Sequence, residues 1–192
     1  MRSRRGLSFS RRRKNMSTYV VKEIFSWFLH ILVAVLMAVI LVFCVGMRTS
    51  VIGVSMEKTL YSGQQVLVNR LSYLFLGPKA GDIVVFTPNG NKNTHFYIKR
   101  VVAVPGDAVC IKDGRLYVNN AIVDYGYDKI MDAGIAEDVF TLDESEYFVM
   151  GDNCNNSEDS RSGNIGPVSR DMIEGKAWFA FGNDISISGF IK

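Results

Sequence analysis

The chain has 192 residues, 48% of them hydrophobic, with 22 Lys+Arg against 19 Asp+Glu and a formal net charge of +3. That length suits one ordinary domain plus an attachment. The positive charge is concentrated at the N-terminus, where Arg2, Arg4, Arg5, Arg11, Arg12, Arg13, Lys14 and Lys22 face only Glu23, so the rest is mildly acidic and has no basic footprint for nucleic acid.

Residues 1–23 are read as a basic cytoplasmic segment. Residues 24–47, IFSWFLHILVAVLMAVILVFCVGM, hold no fixed charge and only Ser26 and His30 as polar groups. This run exceeds the ~20 residues that span a bilayer. It is expected to be a single transmembrane helix, with the positive flank keeping the N-terminus in the cytoplasm. A cleaved leader is the competing reading, but the run is long and "FCVGMRTS" lacks a small-x-small cleavage site. Met16 is an alternative start that would remove most of the arginines.

Residues 48–192 are expected to form the extracytoplasmic domain. Its runs "QQVLVNRL", "GDIVVFTP", "FYIKRVVAVPGD", "AVCIKDGRLYVNN", "EYFVMGDN" and "KAWFAFG" are short, β-like and punctuated by Gly, Pro and Asn. The fold class is therefore mainly β, with Asp113-Gly114 at the turn of a hairpin. "LSYLFLGP" reads either as a buried strand or as an exposed apolar loop that dips into the outer leaflet. Residues 124–146 are polar and acid-rich, and read as an irregular insertion rather than core. Three scattered cysteines make no disulfide framework, and a Cys110–Cys154 bridge is the less favoured arrangement. His30 and His95, far apart, suggest no metal site.

Ser55, in "VIGVSMEKTL", is the candidate nucleophile, and two lysines compete to take its proton. Lys58 gives Ser-x-x-Lys, a spacing that works where it opens a helix; here it follows a β-like stretch, and the Ser-Asp-Asn and Lys-Thr-Gly partners are missing. Lys58 is read as a solvated surface lysine. Lys99 has the better setting, because "FYIKRVVAV" taken as a strand puts it on one face with Tyr97, Val101 and Ala103. Desolvation there lowers a lysine pKa towards the range a general base needs. A strand lysine can also snorkel to water, so spacing alone leaves both readings open.

"GVSMEKTL", "GDIVVF", "KRVVAVPGD" and "GDNCNNSEDSR", in this order, resemble the conserved boxes of the type I signal peptidases, from about Val51 to Val168. The resemblance implies a β-rich catalytic domain behind an N-terminal anchor in the plasma membrane. It implies that a Ser/Lys dyad cleaves signal peptides of exported preproteins after small residues (Ala-x-Ala) through an acyl-enzyme, without metal or cofactor. Ser55 matches the nucleophile, Lys99 the base, and Ser157 the serine that hydrogen-bonds the lysine amine. Asp152 matches the partner of Arg100, and Asp159 and Arg161 a second structural pair. Met56 matches a residue packed against the substrate surface. Gly53 stands where some members have a serine oxyanion donor, which resembles the Gram-positive branch and leaves the hole to backbone N–H groups. Lys58 replaces the usual proline, a change expected to loosen the loop. The expected partners are signal peptides and the lipid bilayer, with the protein a monomer. The rivals are a self-cleaving repressor-type peptidase, a thiol peptidase using Cys154 and His95, and a membrane-tethered peptide-binding module without turnover.

Overall fold

In the computed structural model, residues 16–45, 47–90, 95–183 and 186–191 are described. Residues 1–15, with most of the basic segment, lie outside them. The chain divides into an N-terminal helical unit and a unit that begins at Val42.

Helix α1 runs Met16–Val45 and contains a 25-residue apolar stretch, Thr18–Val42, long enough to cross a membrane. It begins before the predicted span because Lys22 and Glu23, which bound the uncharged run, are good helix formers and no Pro or Gly lies between Met16 and Glu23. At the other end Met47 is not helical but opens the first strand. From Ile24 on, the helix carries no charged residue on any face, the pattern of a segment meant for an apolar environment.

The second unit is built of two sheets. Strands β1 (Met47–Ser50), β2 (Gln65–Asn69), β3 (Ile83–Phe86), β4 (Tyr97–Ala103), β9 (Glu146–Met150), β10 (Val168–Ser169) and β11 (Ile173–Phe181) lie in the order β1-β2-β11-β3-β4-β9-β10. The short β12 (Gly189–Phe190) pairs with the end of β11. A smaller sheet orders as β7-β6-β5-β8, from β5 (Ala108–Lys112), β6 (Arg115–Val118), β7 (Ala121–Ile122) and β8 (Phe140–Thr141). All of these pairings are antiparallel. The β5–β6 turn is Asp113-Gly114, both at positive φ (53° and 75°), as a two-residue hairpin of the right twist requires.

β3 is buried along its whole length, which explains its unbroken apolar run. Ile83 and Val85 pack with Met56, Leu60, Val66 and Ile98 in one cluster. Val84 and Phe86 pack with Val101, Tyr147 and Val149 in another. A third cluster lies on the small sheet, and it corrects the reading of residues 124–146. Ile130, Ala136 and Leu142 are buried in it, and Phe140 pairs in β8. Polar composition hid these contributions because single apolar residues, spaced irregularly along a loop, carry no period.

The "LSYLFLGP" stretch is an exposed loop rather than a buried strand. Asn69 Oδ1 accepts the N–H groups of Leu71 and Ser72, which ends β2 in a turn. Tyr73 is buried beneath it, while Leu74, Phe75 (95% exposed) and Leu76 project. Cys110 and Cys154 are both free, buried thiols.

Candidate active site

Lys99 sits in the middle of β4, flanked by β3 through its register with Val84 and by β9 one residue on, where Arg100 faces Met150. Alternation turns Lys99 and Arg100 to opposite faces, and both are buried, at 4% and 7% exposure. Burial pulls the Lys99 pKa down from 10.5 to about 8; Asp159 and Glu158 hold it up, Arg161 lowers it, and Asp152 raises it. Its ammonium also lies 5.7 Å from the centre of the Tyr97 ring, two residues away on the same face.

Ser55 lies in a tight turn between β1 and β2. The turn is closed by Glu57 N–H to Val54 O at 3.1 Å, Thr59 N–H to Met56 O at 3.1 Å and Leu60 N–H to Met56 O at 2.7 Å. Met56 and Leu60 anchor it from below, each 1% exposed. Ser55 Oγ emerges 2.6 Å from Lys99 Nζ, within hydrogen-bonding distance. A cleft of about 470 Å³ opens over this pair, with Val51, Ile52, Val54, Phe96 and Ile98 as apolar lining and His95, Asn156 and Glu158 as polar lining.

Two buried ion pairs frame the site. Asp152 takes both Arg100 Nε (2.8 Å) and Arg100 Nη2 (2.7 Å), and accepts the Thr59 hydroxyl at 2.5 Å. Asp159 takes Arg161 Nε at 2.8 Å and Nη2 at 2.9 Å, and accepts the Gly151 N–H at 3.0 Å. Both carboxylates are buried and neutralised by bidentate guanidinium contacts, the arrangement that makes burial of such charges tolerable.

Ser157 stands next to these groups, but its Oγ is buried with no hydrogen-bond partner among the described residues, so the bond to the lysine amine that the resemblance implies is not made in this structure. Gly151 explains how close it comes. A Cβ at Gly151 would run into both Ser157 Oγ and the Ser55 carbonyl oxygen, so the backbone just after β9 is the spacer between the two serines. The Gly53 N–H donates to Ser62 Oγ at 3.3 Å and is already engaged, whereas the Ser55 N–H has no acceptor among the described residues.

Lys58 points away from the dyad. Its Nζ bonds Gly126 O and Asp128 Oδ2, each at 3.0 Å, so it is not a merely solvated lysine. The thiol alternative has no support in the geometry. Cys154 is 2% exposed, lies outside the cleft that His95 lines, and burial pushes its thiol pKa up.

Thr59, Gly151 and Asn153 are site residues that sequence reasoning did not single out. Asn153 N–H donates to Ser55 O at 3.0 Å and its side-chain amide to Val54 O at 3.2 Å. The only signal was their position inside the quoted boxes.

Comparison with known proteins gives a consistent picture. Residues 24–181 match the family described as "Signal peptidase, peptidase S26". The chain is 35% identical over 167 residues to signal peptidase I of Bacillus amyloliquefaciens, covering 82% of this chain and 88% of that one. It is 34% identical over 177 residues to signal peptidase IB of Staphylococcus aureus, covering 83% and 90%. It is 35% identical over 155 residues to a probable signal peptidase I-2 of Synechocystis sp., covering 76% and 70%. A crystal structure of a signal peptidase I from Enterococcus faecalis is similar at 28% identity and a TM-score of 0.42, covering 52% of this chain and 95% of that chain.

Proposed function

The chain belongs to the signal peptidase family, peptidase S26, whose activity is removal of signal peptides, and from that premise we propose that it does so with Ser55 as nucleophile and Lys99 as general base. The observation that carries the assignment is the 2.6 Å approach of Lys99 Nζ to Ser55 Oγ at the floor of a cleft.

Neutral Lys99, whose pKa burial brings to about 8, takes the Ser55 hydroxyl proton as Oγ attacks the scissile carbonyl. The tetrahedral oxyanion takes its hydrogen bond from the Ser55 N–H. Collapse breaks the C–N bond, and Lys99 gives its proton to the leaving amine, which departs as the N-terminus of the mature protein. An acyl-enzyme remains on Ser55. Lys99 then takes a proton from water, the hydroxide attacks the ester, and Lys99 returns that proton to Ser55 Oγ as the signal peptide leaves.

The substrate segment lies extended along the cleft. The apolar walls at Val51, Ile52 and Ile98 admit small side chains, which is the basis of an Ala-x-Ala preference. α1 anchors the protein in the plasma membrane with residues 1–23 in the cytoplasm and the β domain outside, in accord with the positive flank. The protein works as a monomer on bilayer-held substrates and has no nucleic-acid partner. Leu74, Phe75 and Leu76 dip their exposed side chains into the outer leaflet. The test is cleavage of an Ala-x-Ala preprotein by wild type, Ser55→Ala and Lys99→Ala proteins in detergent. Loss of cleavage in both variants is expected, and activity in either overturns the dyad.

A further inference from the structure

We infer that residues 124–132 form a strut that positions the nucleophile turn, and that Lys58 is the positioning residue linking the two. The inference rests on Ser55 being the nucleophile, as proposed above.

The strut is itself fixed. Asp124 Oδ1 accepts the N–H groups of Gly126 at 2.7 Å and Tyr127 at 3.1 Å. Ile130 is buried in the core of the small sheet and its N–H donates to Gly114 O at 3.0 Å. From this base the segment touches each of the three stretches that carry the site. Lys58, three residues after Ser55, donates to Gly126 O and Asp128 Oδ2, each at 3.0 Å. The Tyr125 ring lies 5.4 Å from the guanidinium of Arg100, the residue after Lys99. Beside Ser157, Asn155 donates to Lys129 O at 3.0 Å and accepts the Met131 N–H at 3.0 Å.

The Ser55 turn is held on one side by Thr59 and Asn153, through Asp152 and the Ser55 and Val54 carbonyls. The Lys58 contact is its hold on the strut. Lys58 also has a φ of 86°, a backbone conformation that L residues with side chains avoid, and one that proline cannot adopt. A strained backbone persists only where its surroundings hold it, and the two bonds from Nζ supply that hold. The lysine that replaces the usual proline therefore ties the loop down rather than loosening it.

An exposed ion pair adds little to stability. Its effect is expected in the rate, because displacement of a nucleophile by about 1 Å costs about a hundredfold in turnover. The contact is also open to salt, unlike the buried pairs around it.

The experiment measures kcat and KM on an Ala-x-Ala peptide for full-length Lys58→Met, Asp128→Asn and the reversed pair Lys58→Asp with Asp128→Lys, with Ser55→Ala as control. Each single variant is expected to lose about five- to tenfold in kcat at unchanged KM and melting temperature, and the reversed pair to recover most of it. Raising salt from about 0.02 M to about 1 M should slow wild type but not the single variants. Wild-type kcat in both single variants at low salt, with Ser55→Ala inactive, overturns the strut. Turnover by Ser55→Ala instead overturns the nucleophile assignment beneath it.

Discussion

Lys99 Nζ and Ser55 Oγ, 44 positions apart in the chain, meet at 2.6 Å, the lysine from the centre of a strand and the serine from a turn pinned beside it. The lysine is 4% exposed, so its charge is penalised where it stands. That penalty favours the neutral amine, the form the proposed base needs, and also costs stability.

Lys99→Met should therefore abolish cleavage and raise resistance to urea. The sign follows from proton binding. Because the folded-state pKa is about 8 and the ordinary value 10.5, the unfolded chain binds more protons between these values, and wild-type stability rises with pH across that window. The advantage of Lys99→Met should be full below pH 8 and shrink towards pH 10.5. Urea midpoints of both proteins at each end of the window check this, and a pH-independent difference contradicts it.

Asp152→Ala leaves Arg100 buried without its bidentate partner and Thr59 without its acceptor. A loss of about 3–5 kcal/mol in unfolding free energy is expected, with a loss of rate because Thr59 belongs to the Ser55 turn. An unchanged denaturation midpoint rules out the structural role.

Gly151→Ala places a methyl group against Ser157 Oγ and the Ser55 carbonyl oxygen. The serines must separate, so kcat should fall by about 10²-fold or more, with KM changed far less. Comparable kcat in this variant shows that the close approach at Gly151 is not used.

Phe75→Ser removes the most exposed aromatic side chain of the β2–β3 loop. Cleavage of a preprotein held in vesicles should slow several-fold while a soluble peptide is cleaved as before. Equal rates on both substrates argue against a membrane role for the loop.

Much of the candidate site's geometry was legible because it is written in local pattern. The alternation of "YIKRVVA" put Lys99 and Arg100 on opposite faces of one strand, and they are so placed in β4. Asp113-Gly114 marked its hairpin because only residues tolerant of positive φ suit that turn. Two-residue ladders such as β7, β8 and β10 leave no period to read. The partners of Lys58 and Gly151 lie in other segments, so composition near either residue says nothing of them. The helix starts before the uncharged run and stops short of its end because lack of charge, the criterion for a span, does not govern where backbone hydrogen bonding starts or stops.

The most direct test of the dyad is the pH dependence of kcat/KM for a soluble Ala-x-Ala peptide. Wild type should show an acid limb with its midpoint near 8, where Lys99 loses its proton, and Lys99→Ala should be inactive at every pH. A midpoint at about 6.5, the ordinary range of a histidine, or turnover by Lys99→Ala, contradicts the account.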